Sequence, residues 1–98
     1  MSETSVEKMS EAEIQAALEA VPQWNAVGGE LQRTFQFDGF IESMAFVNQV
    51  AGMAETDQHH PDILIRYNKV TLTVSTHDAG GITSKDFDLA NKTNGFAA

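Results

Sequence analysis

The chain has three histidines, and all of them lie in its second half. His59 and His60 are adjacent, in the segment from Glu55 to Pro61, and His77 ends an alternating, strand-like run that starts just after that segment. Histidine is the side chain whose unperturbed pKa allows proton exchange near neutral pH. Three imidazoles in one region therefore suggest general acid–base chemistry.

The predicted elements around the histidines would bring them together. A helix is predicted from Phe40 to about residue 55, because apolar residues recur there at three- and four-residue steps. Pro61 prevents its continuation, so the histidine pair should lie on a loop just past the helix end. Residues 63–67 and 70–77 predict a hairpin around Asn68-Lys69, whose second strand returns to where the first began. We therefore expect His77, on the polar face of that strand, to meet the pair at one edge of the sheet.

Asp86 is expected near the same edge. The segment Thr83-Ser84-Lys85-Asp86 is typical of a capping box that begins a last helix, in which Phe87, Leu89 and Ala90 are the apolar residues. On spacing alone capping is the favoured role of Asp86. Orienting a histidine is compatible with it, since a carboxylate has two oxygens.

The sequence favours some reaction classes over others. It contains no serine or cysteine in a nucleophile-elbow setting and no glycine-rich phosphate loop. Elimination, hydration or isomerisation therefore fits better than acyl or phosphoryl transfer.

Simpler interpretations exist for each residue. Glu55 alone would be solvated, His77 alone would be a surface strand residue, and the histidine pair would favourably end a helix through the dipole. Three histidines and a carboxylate could also form a zinc site. Adjacent histidines chelate one ion poorly, however, and the one-turn ligand spacing on a helix is absent, so we expect no metal site.

The remaining patterns complete the predicted fold. Ser10 and Glu13 form a capping box for a first helix at about 10–20, and Gly28-Gly29 joins strands 24–27 and 31–37 in a first hairpin. The second of these strands has one apolar face, on which Arg33 is the exception. We predict an α+β fold, one four-stranded antiparallel sheet of two hairpins with about three helices on one face, in the order α-β-β-α-β-β-α. Residues 1–9 are predicted to be a flexible start and residues 10–98 a single domain.

Composition limits the partners. The 98 residues carry a formal charge of −8 with no basic cluster, which argues against direct binding to nucleic acid. We expect no membrane span, because the apolar runs are short, and a cytoplasmic location, because there is no cysteine and no secretory signal. A core of this modest size also makes a homo-oligomer a reasonable expectation.

Taken together, the motif resembles that of the pterin-4a-carbinolamine dehydratases. The residues that carry the resemblance are Glu55, His59-His60-Pro61, Tyr67, His77 and Asp86, with wider similarity at Trp24, 33–37, 46–51, 67–70, 75–77 and 81–83. The resemblance covers about residues 10–92.

The resemblance implies a dehydratase that removes water from 4a-hydroxytetrahydropterin to give quinonoid dihydropterin, in tetrahydrobiopterin recycling beside an aromatic amino acid hydroxylase. It implies that His59 and His77 are the leading acid–base residues, that His60 binds and orients the pterin, and that carboxylates support them. The implied catalytic set is His59, His60, His77 and Asp86, and the substrate-binding or supporting set is Glu55, Gln58, Pro61, Thr76 and Lys85. No metal or organic cofactor is implied, since the pterin is the substrate, and members form homodimers or homotetramers.

Two positions depart from the family pattern. Gln58 stands where many members have Asp or Asn, and Lys85 stands where some have arginine, so a bidentate contact there is lost. Some relatives also act as a dimerisation cofactor of a transcription factor. A non-catalytic regulatory or dimerisation module of the same fold is therefore the alternative hypothesis, against which the complete histidine set argues.

Overall fold

Three α-helices and one four-stranded antiparallel sheet make up residues 7–98, the part of the chain that the computed structural model describes. In chain order the elements are α1 (Glu11–Leu18), β1 (Asn25–Val27), β2 (Glu30–Gln36), α2 (Phe40–Asp57), β3 (Asp62–Arg66), β4 (Lys69–Val74), a short 3₁₀ helix (His77–Ala79) and α3 (Ser84–Ala97). The predicted α+β class and element order are confirmed. Residues 1–6 of the predicted flexible start lie outside the described residues, and in its last part the Met9 amide donates to the Ile82 carbonyl at 2.8 Å.

The sheet has the strand order β1-β2-β4-β3, and its alternating residues separate a core face from an outer face. In β4, Val70, Leu72 and Val74 are buried, while Thr71 and Thr73 between them are only partly so. Helices α2 and α3 pack on the core face and on each other. Within residues 7–98 the buried core has fourteen members, which are Val21, Trp24, Leu31, Phe35, Phe46, Val47, Val50, Val70, Leu72, Val74, Ile82, Phe87, Leu89 and Ala90.

Arg33, the exception on the apolar face of β2, is accommodated by α3. Its guanidinium donates to Asn94 Oδ1 at 2.6 Å, and the Trp24 indole donates to the same oxygen at 2.8 Å. The guanidinium carbon also lies 4.0 Å from the centre of the Phe35 ring. Burial lowers the pKa of Arg33 below its ordinary value, and these contacts offset part of that penalty.

Both predicted capping boxes are present. Ser10 Oγ accepts from the Glu13 amide at 3.2 Å, and the Glu13 carboxylate accepts from the Ser10 amide at 2.7 Å. That backbone hydrogen bond is the main cause that lowers the pKa of Glu13. At the start of α3 the Thr83 amide donates to Asp86 Oδ2 at 2.8 Å.

The turn of the second hairpin was predicted one residue too late. Its two central residues are Tyr67-Asn68 rather than Asn68-Lys69, because Arg66 pairs with Lys69. Phe37 fixes this placement, since its amide donates to the Asn68 carbonyl and its carbonyl accepts from the Asn68 side chain. Tyr67 consequently adopts a left-handed conformation, with a φ of 55°. The predicted faces of the hairpin are unaffected.

The prediction that His77 ends a strand was also wrong. The last paired residue of β4 is Val74, which pairs with Leu31 of β2. Strand β3 pairs with β4 only as far as Thr73, so neither neighbouring strand continues the pairing past Val74. The chain instead turns tightly at Thr76, whose carbonyl accepts from the amides of Ala79, Gly80 and Gly81. His77 is therefore the first residue of the 3₁₀ helix.

Candidate active site

The end of α2 sets the direction in which the histidine pair leaves the helix. Gln58 caps α2 in a left-handed conformation, with a φ of 54°, and its amide donates to the Ala54 carbonyl. The His59 amide donates to the same carbonyl at 3.1 Å. This sharp reversal at Gln58 turns the His59 side chain towards the start of α3, where it contacts Asp86.

His59 makes a close hydrogen-bonding contact with Asp86, 27 positions further along the chain. His59 Nε2 lies 2.6 Å from Asp86 Oδ1, and the two side chains are 14% and 0% exposed. A buried charge needs partners, because desolvation penalises it strongly. Asp86 therefore both caps α3 and holds a histidine, the combination that the sequence left open.

The second oxygen of Asp86 is held by two further donors. Thr76 Oγ1 donates to Asp86 Oδ2 at 3.0 Å, and the Thr83 amide donates to it at 2.8 Å. The two threonine hydroxyls are 2.7 Å apart, and Thr83 Oγ1 accepts from the Lys85 amide at 3.2 Å. Throughout residues 7–98 every buried side-chain nitrogen and oxygen has a hydrogen-bond partner. With the contact to His59, the two Asp86 carboxylate oxygens have three hydrogen-bond partners, which hold the carboxylate in one position.

His60 is paired with a carboxylate of its own, but at the surface. Its Nε2 lies 2.5 Å from Glu55 Oε2, and the two side chains are 56% and 75% exposed. Glu55 belongs to the last turns of α2, so this contact is local. Water competes for both groups, which makes the pair weak and adjustable.

All three histidines line one open cleft of about 270 Å³. A cleft of this volume suits a small molecule rather than a polymer. A second cleft of similar volume adjoins it, because His59 and Lys85 line both. Asp57 and Lys92 also line the second cleft, and they form an ion pair in which Lys92 Nζ lies 2.6 Å from Asp57 Oδ2.

Six of the nine predicted site residues line the three-histidine cleft, namely Gln58, His59, His60, Thr76, His77 and Lys85. Asp86 lies behind His59, and Glu55 reaches the cleft through His60. Pro61 follows the pair but does not line the cleft.

Sequence reasoning missed three residues of the site. Ser75 and Asp78 line the cleft, and Thr83 supports Asp86 from behind. A signal for Ser75 was present, since alternation places it on the same side of the chain as His77. Thr83 was recognised only as a helix cap, and nothing in the spacing links it to Thr76.

The chemistry available is proton transfer. Imidazoles from two separate segments that line one small cleft can donate a proton to a guest and remove another from it. Among the described residues, no three side chains of the types His, Cys, Asp and Glu are grouped as metal ligands would be. None of the helices within residues 7–98 has the length and apolar character of a membrane span.

Comparison with known proteins identifies the family. The sequence profile described as pterin 4 alpha carbinolamine dehydratase matches residues 7–96. A Picosynechococcus protein provisionally named a pterin-4-alpha-carbinolamine dehydratase is 53% identical over 83 residues, which are 85% of this chain and 90% of that protein. A Thermomicrobium roseum protein with the same provisional name is 51% identical, over 87% of this chain and 91% of its own.

Solved structures agree with the profile. A transcriptional coactivator/pterin dehydratase from Brucella melitensis has a TM-score of 0.90 and 34% identity, over 93% of this chain and 99% of its own. A pterin dehydratase-like RuBisCO assembly factor of the alpha-carboxysome shares the fold, with a TM-score of 0.68 and 22% identity over 78% of this chain and 90% of its own. This chain belongs to the pterin-4a-carbinolamine dehydratase family.

Proposed function

We propose that this protein dehydrates 4a-hydroxytetrahydropterin to quinonoid dihydropterin by histidine general acid–base catalysis. The observation that carries the proposal is the single cleft lined by all three histidines, one of which is held by the buried carboxylate of Asp86. Family membership supports a pterin dehydratase activity, and the cleft supplies the groups that this reaction needs.

The reaction requires two proton transfers. An imidazolium donates a proton to the 4a-hydroxyl, the bond between C4a and that oxygen breaks, and water leaves. A neutral imidazole removes the proton from N5, whose electrons form the new double bond to C4a. We assign these roles to His59 and His77, and we assign binding and orientation of the pterin to His60. No metal or organic cofactor has a part in this scheme.

The proposed setting is tetrahydrobiopterin recycling in the cytoplasm, beside an aromatic amino acid hydroxylase that produces the 4a-hydroxypterin. One of the two proton transfers needs a neutral imidazole as the base, so we expect the rate of dehydration to fall as the pH drops from about 8 to 5, the range in which imidazole ordinarily titrates. A flat rate profile through that range would contradict imidazole catalysis.

We also propose a homo-oligomer, whose first contact is the β3 edge. Strand β3 ends the sheet, and its Ile63 and Leu64 side chains are 36% and 54% exposed. If two copies pair through antiparallel β3 strands centred on Leu64, Asp62 of each copy lies opposite Arg66 of the other, and the opposite charges attract.

Light scattering tests this arrangement. We expect the wild type to have at least the mass of a dimer and the Leu64→Lys variant to have a smaller mass. A monomeric wild type would contradict this arrangement.

A stopped-flow assay of quinonoid dihydropterin formation tests the enzymatic proposal. The wild type should accelerate the reaction, and His59→Ala or His77→Ala should slow it by roughly 10²–10⁴-fold while circular dichroism shows an intact fold. Wild-type rates in both variants would contradict the assigned roles.

The alternative is a non-catalytic module. One relative of known structure is described as a coactivator as well as a dehydratase, and another as an assembly factor. A folded wild type that fails to accelerate dehydration would favour this alternative, which does not need the three histidines.

A further inference from the structure

We propose that Thr76 and Thr83 are positioning residues that fix the tautomer of His59, so that Nε2 carries the proton and Nδ1 is the nitrogen that faces the pterin. This inference rests on the proposed dehydration and specifies one of its groups. It follows from the directions of four hydrogen bonds at the start of α3.

The direction of the chain of hydrogen bonds is set by a backbone amide. The Lys85 N–H can only donate, so Thr83 Oγ1 must accept from it. The Thr83 hydroxyl hydrogen is then directed to Thr76 Oγ1, 2.7 Å away, because Thr83 is fully buried. Thr76 in turn donates its hydrogen to Asp86 Oδ2 at 3.0 Å.

The opposite direction would leave a buried hydrogen without an acceptor. A protonated Asp86 would donate to Thr76, and Thr76 would donate to Thr83. The Thr83 hydrogen would then face only the Lys85 amide, which is itself a donor. Leaving a buried hydroxyl unsatisfied is unfavourable, so the first direction is preferred.

The tautomer of His59 follows from this direction. Asp86 Oδ2 accepts from Thr76 and from the Thr83 amide, so this oxygen carries no proton itself. In the contact between Oδ1 and His59 the proton belongs on the imidazole, which is ordinarily the stronger base, so Oδ1 is an acceptor as well. His59 Nε2, at 2.6 Å from Oδ1, must therefore be the donor. The other ring nitrogen, Nδ1, is left for proton exchange in the cleft that His59 lines.

Nitrogen-15 NMR of the histidine-labelled wild type tests the tautomer without any activity measurement. The His59 signals are assigned by their loss in His59→Ala. We expect neutral His59 to carry its proton on Nε2. A proton on Nδ1 would overturn the inference, whatever the variants do.

Four variants test the positioning role. Thr76→Val removes a hydrogen bond to a charged group, so the dehydration rate should fall about 10- to 100-fold and an Nδ1–H population of His59 should appear. Thr83→Val removes two hydrogen bonds between neutral groups, to Thr76 and from the Lys85 amide, and we expect about a two- to tenfold fall in the rate. Thr76→Ser and Thr83→Ser keep the hydroxyls and should restore both the rate and the tautomer.

Thr93→Val is the matched control. Thr93 is also fully buried in α3, but its hydroxyl donates to the Ala90 carbonyl of its own helix. The rate and the His59 tautomer should therefore stay at wild-type values. Wild-type rates and tautomer in folded Thr76→Val would overturn the inference. A wild type with the Nε2–H tautomer but no dehydration would overturn the proposed function instead and leave the hydrogen-bond chain standing.

Discussion

The two histidine–carboxylate pairs of the cleft have nearly the same length but different surroundings. His59 and Asp86 are 2.6 Å apart, and His60 and Glu55 are 2.5 Å apart. The first pair joins two elements across 27 positions and is almost completely buried, whereas the second spans five positions and is exposed. The distance within each pair therefore does not distinguish their roles, whereas their burial does.

The difference lies in the partners of each carboxylate. Asp86 has three donors and is closed off from water, so it holds the His59 ring in one orientation. Glu55 is three-quarters exposed, and solvent screens its attraction for His60. The buried pair suits a fixed acid–base group, and the exposed pair suits a side chain that adjusts to a guest.

The largest expected effect is that of Asp86→Asn. The amide keeps the size of the side chain but replaces one acceptor by a donor, which leaves buried partners unsatisfied. We expect a loss of about 1–3 kcal/mol in the free energy of unfolding and a rate of dehydration lower by roughly 10²–10⁴-fold. Urea unfolding and stopped-flow assays measure the two quantities.

Asp88→Asn is the control for this change, since Asp88 is an exposed residue of the same helix. Its unfolding free energy should stay within about 0.5 kcal/mol of the wild type. Equal losses in the two variants would show that burial does not distinguish the pairs.

Glu55→Gln should have a much smaller effect. The exposed pair contributes about 0–1 kcal/mol, so we expect unfolding free energy to change by less than that and the rate by less than about threefold. Added salt should reduce even this difference, because it screens exposed charges. An effect on the rate as large as that of Asp86→Asn would contradict the comparison.

The smallest expected effect is that of Glu13→Gln. Glu13 belongs to the exposed capping box with Ser10, whereas the other capping box, Thr83–Asp86, is buried. Hydrogen bonds from Ser10 lower the pKa of Glu13 from 4.5. Ionised Glu13 therefore stabilises the fold fully at pH values above 4.5. This stabilisation is lost as the pH falls through the lowered pKa of Glu13. The difference in thermal midpoint between the wild type and Glu13→Gln should shrink from pH 7 to pH 3. A constant difference would show that the charge of Glu13 has no part in the cap.

Local patterns predicted most of the fold but only part of the site. Both capping boxes, α2 and the alternating faces of β4 were predictable because each depends on residues a few positions apart. The turn at Tyr67-Asn68 was misplaced because Phe37, 31 positions away from Asn68, holds it. The strand at His77 was overextended because its length depends on where the neighbouring strands stop pairing.

The site depends even more on distant contacts. The order of the elements was enough to predict that the three histidines lie close together at one edge of the sheet. The contact of His59 rather than His60 with Asp86 could not be deduced, because it depends on the left-handed turn at Gln58. The contact between Thr83 and Thr76 could not be deduced either, since it depends on the tight turn at Thr76, which was not predicted from the sequence.

Single-turnover and steady-state rates of His59→Ala and His60→Ala, measured side by side on 4a-hydroxytetrahydropterin, test the central claim most directly. The buried pair is assigned to the chemistry, so His59→Ala should slow the chemical step by roughly 10²–10⁴-fold. His60→Ala should mainly raise KM, since it is assigned to binding. A chemical step slowed equally in both variants, or unchanged in His59→Ala, would contradict this account.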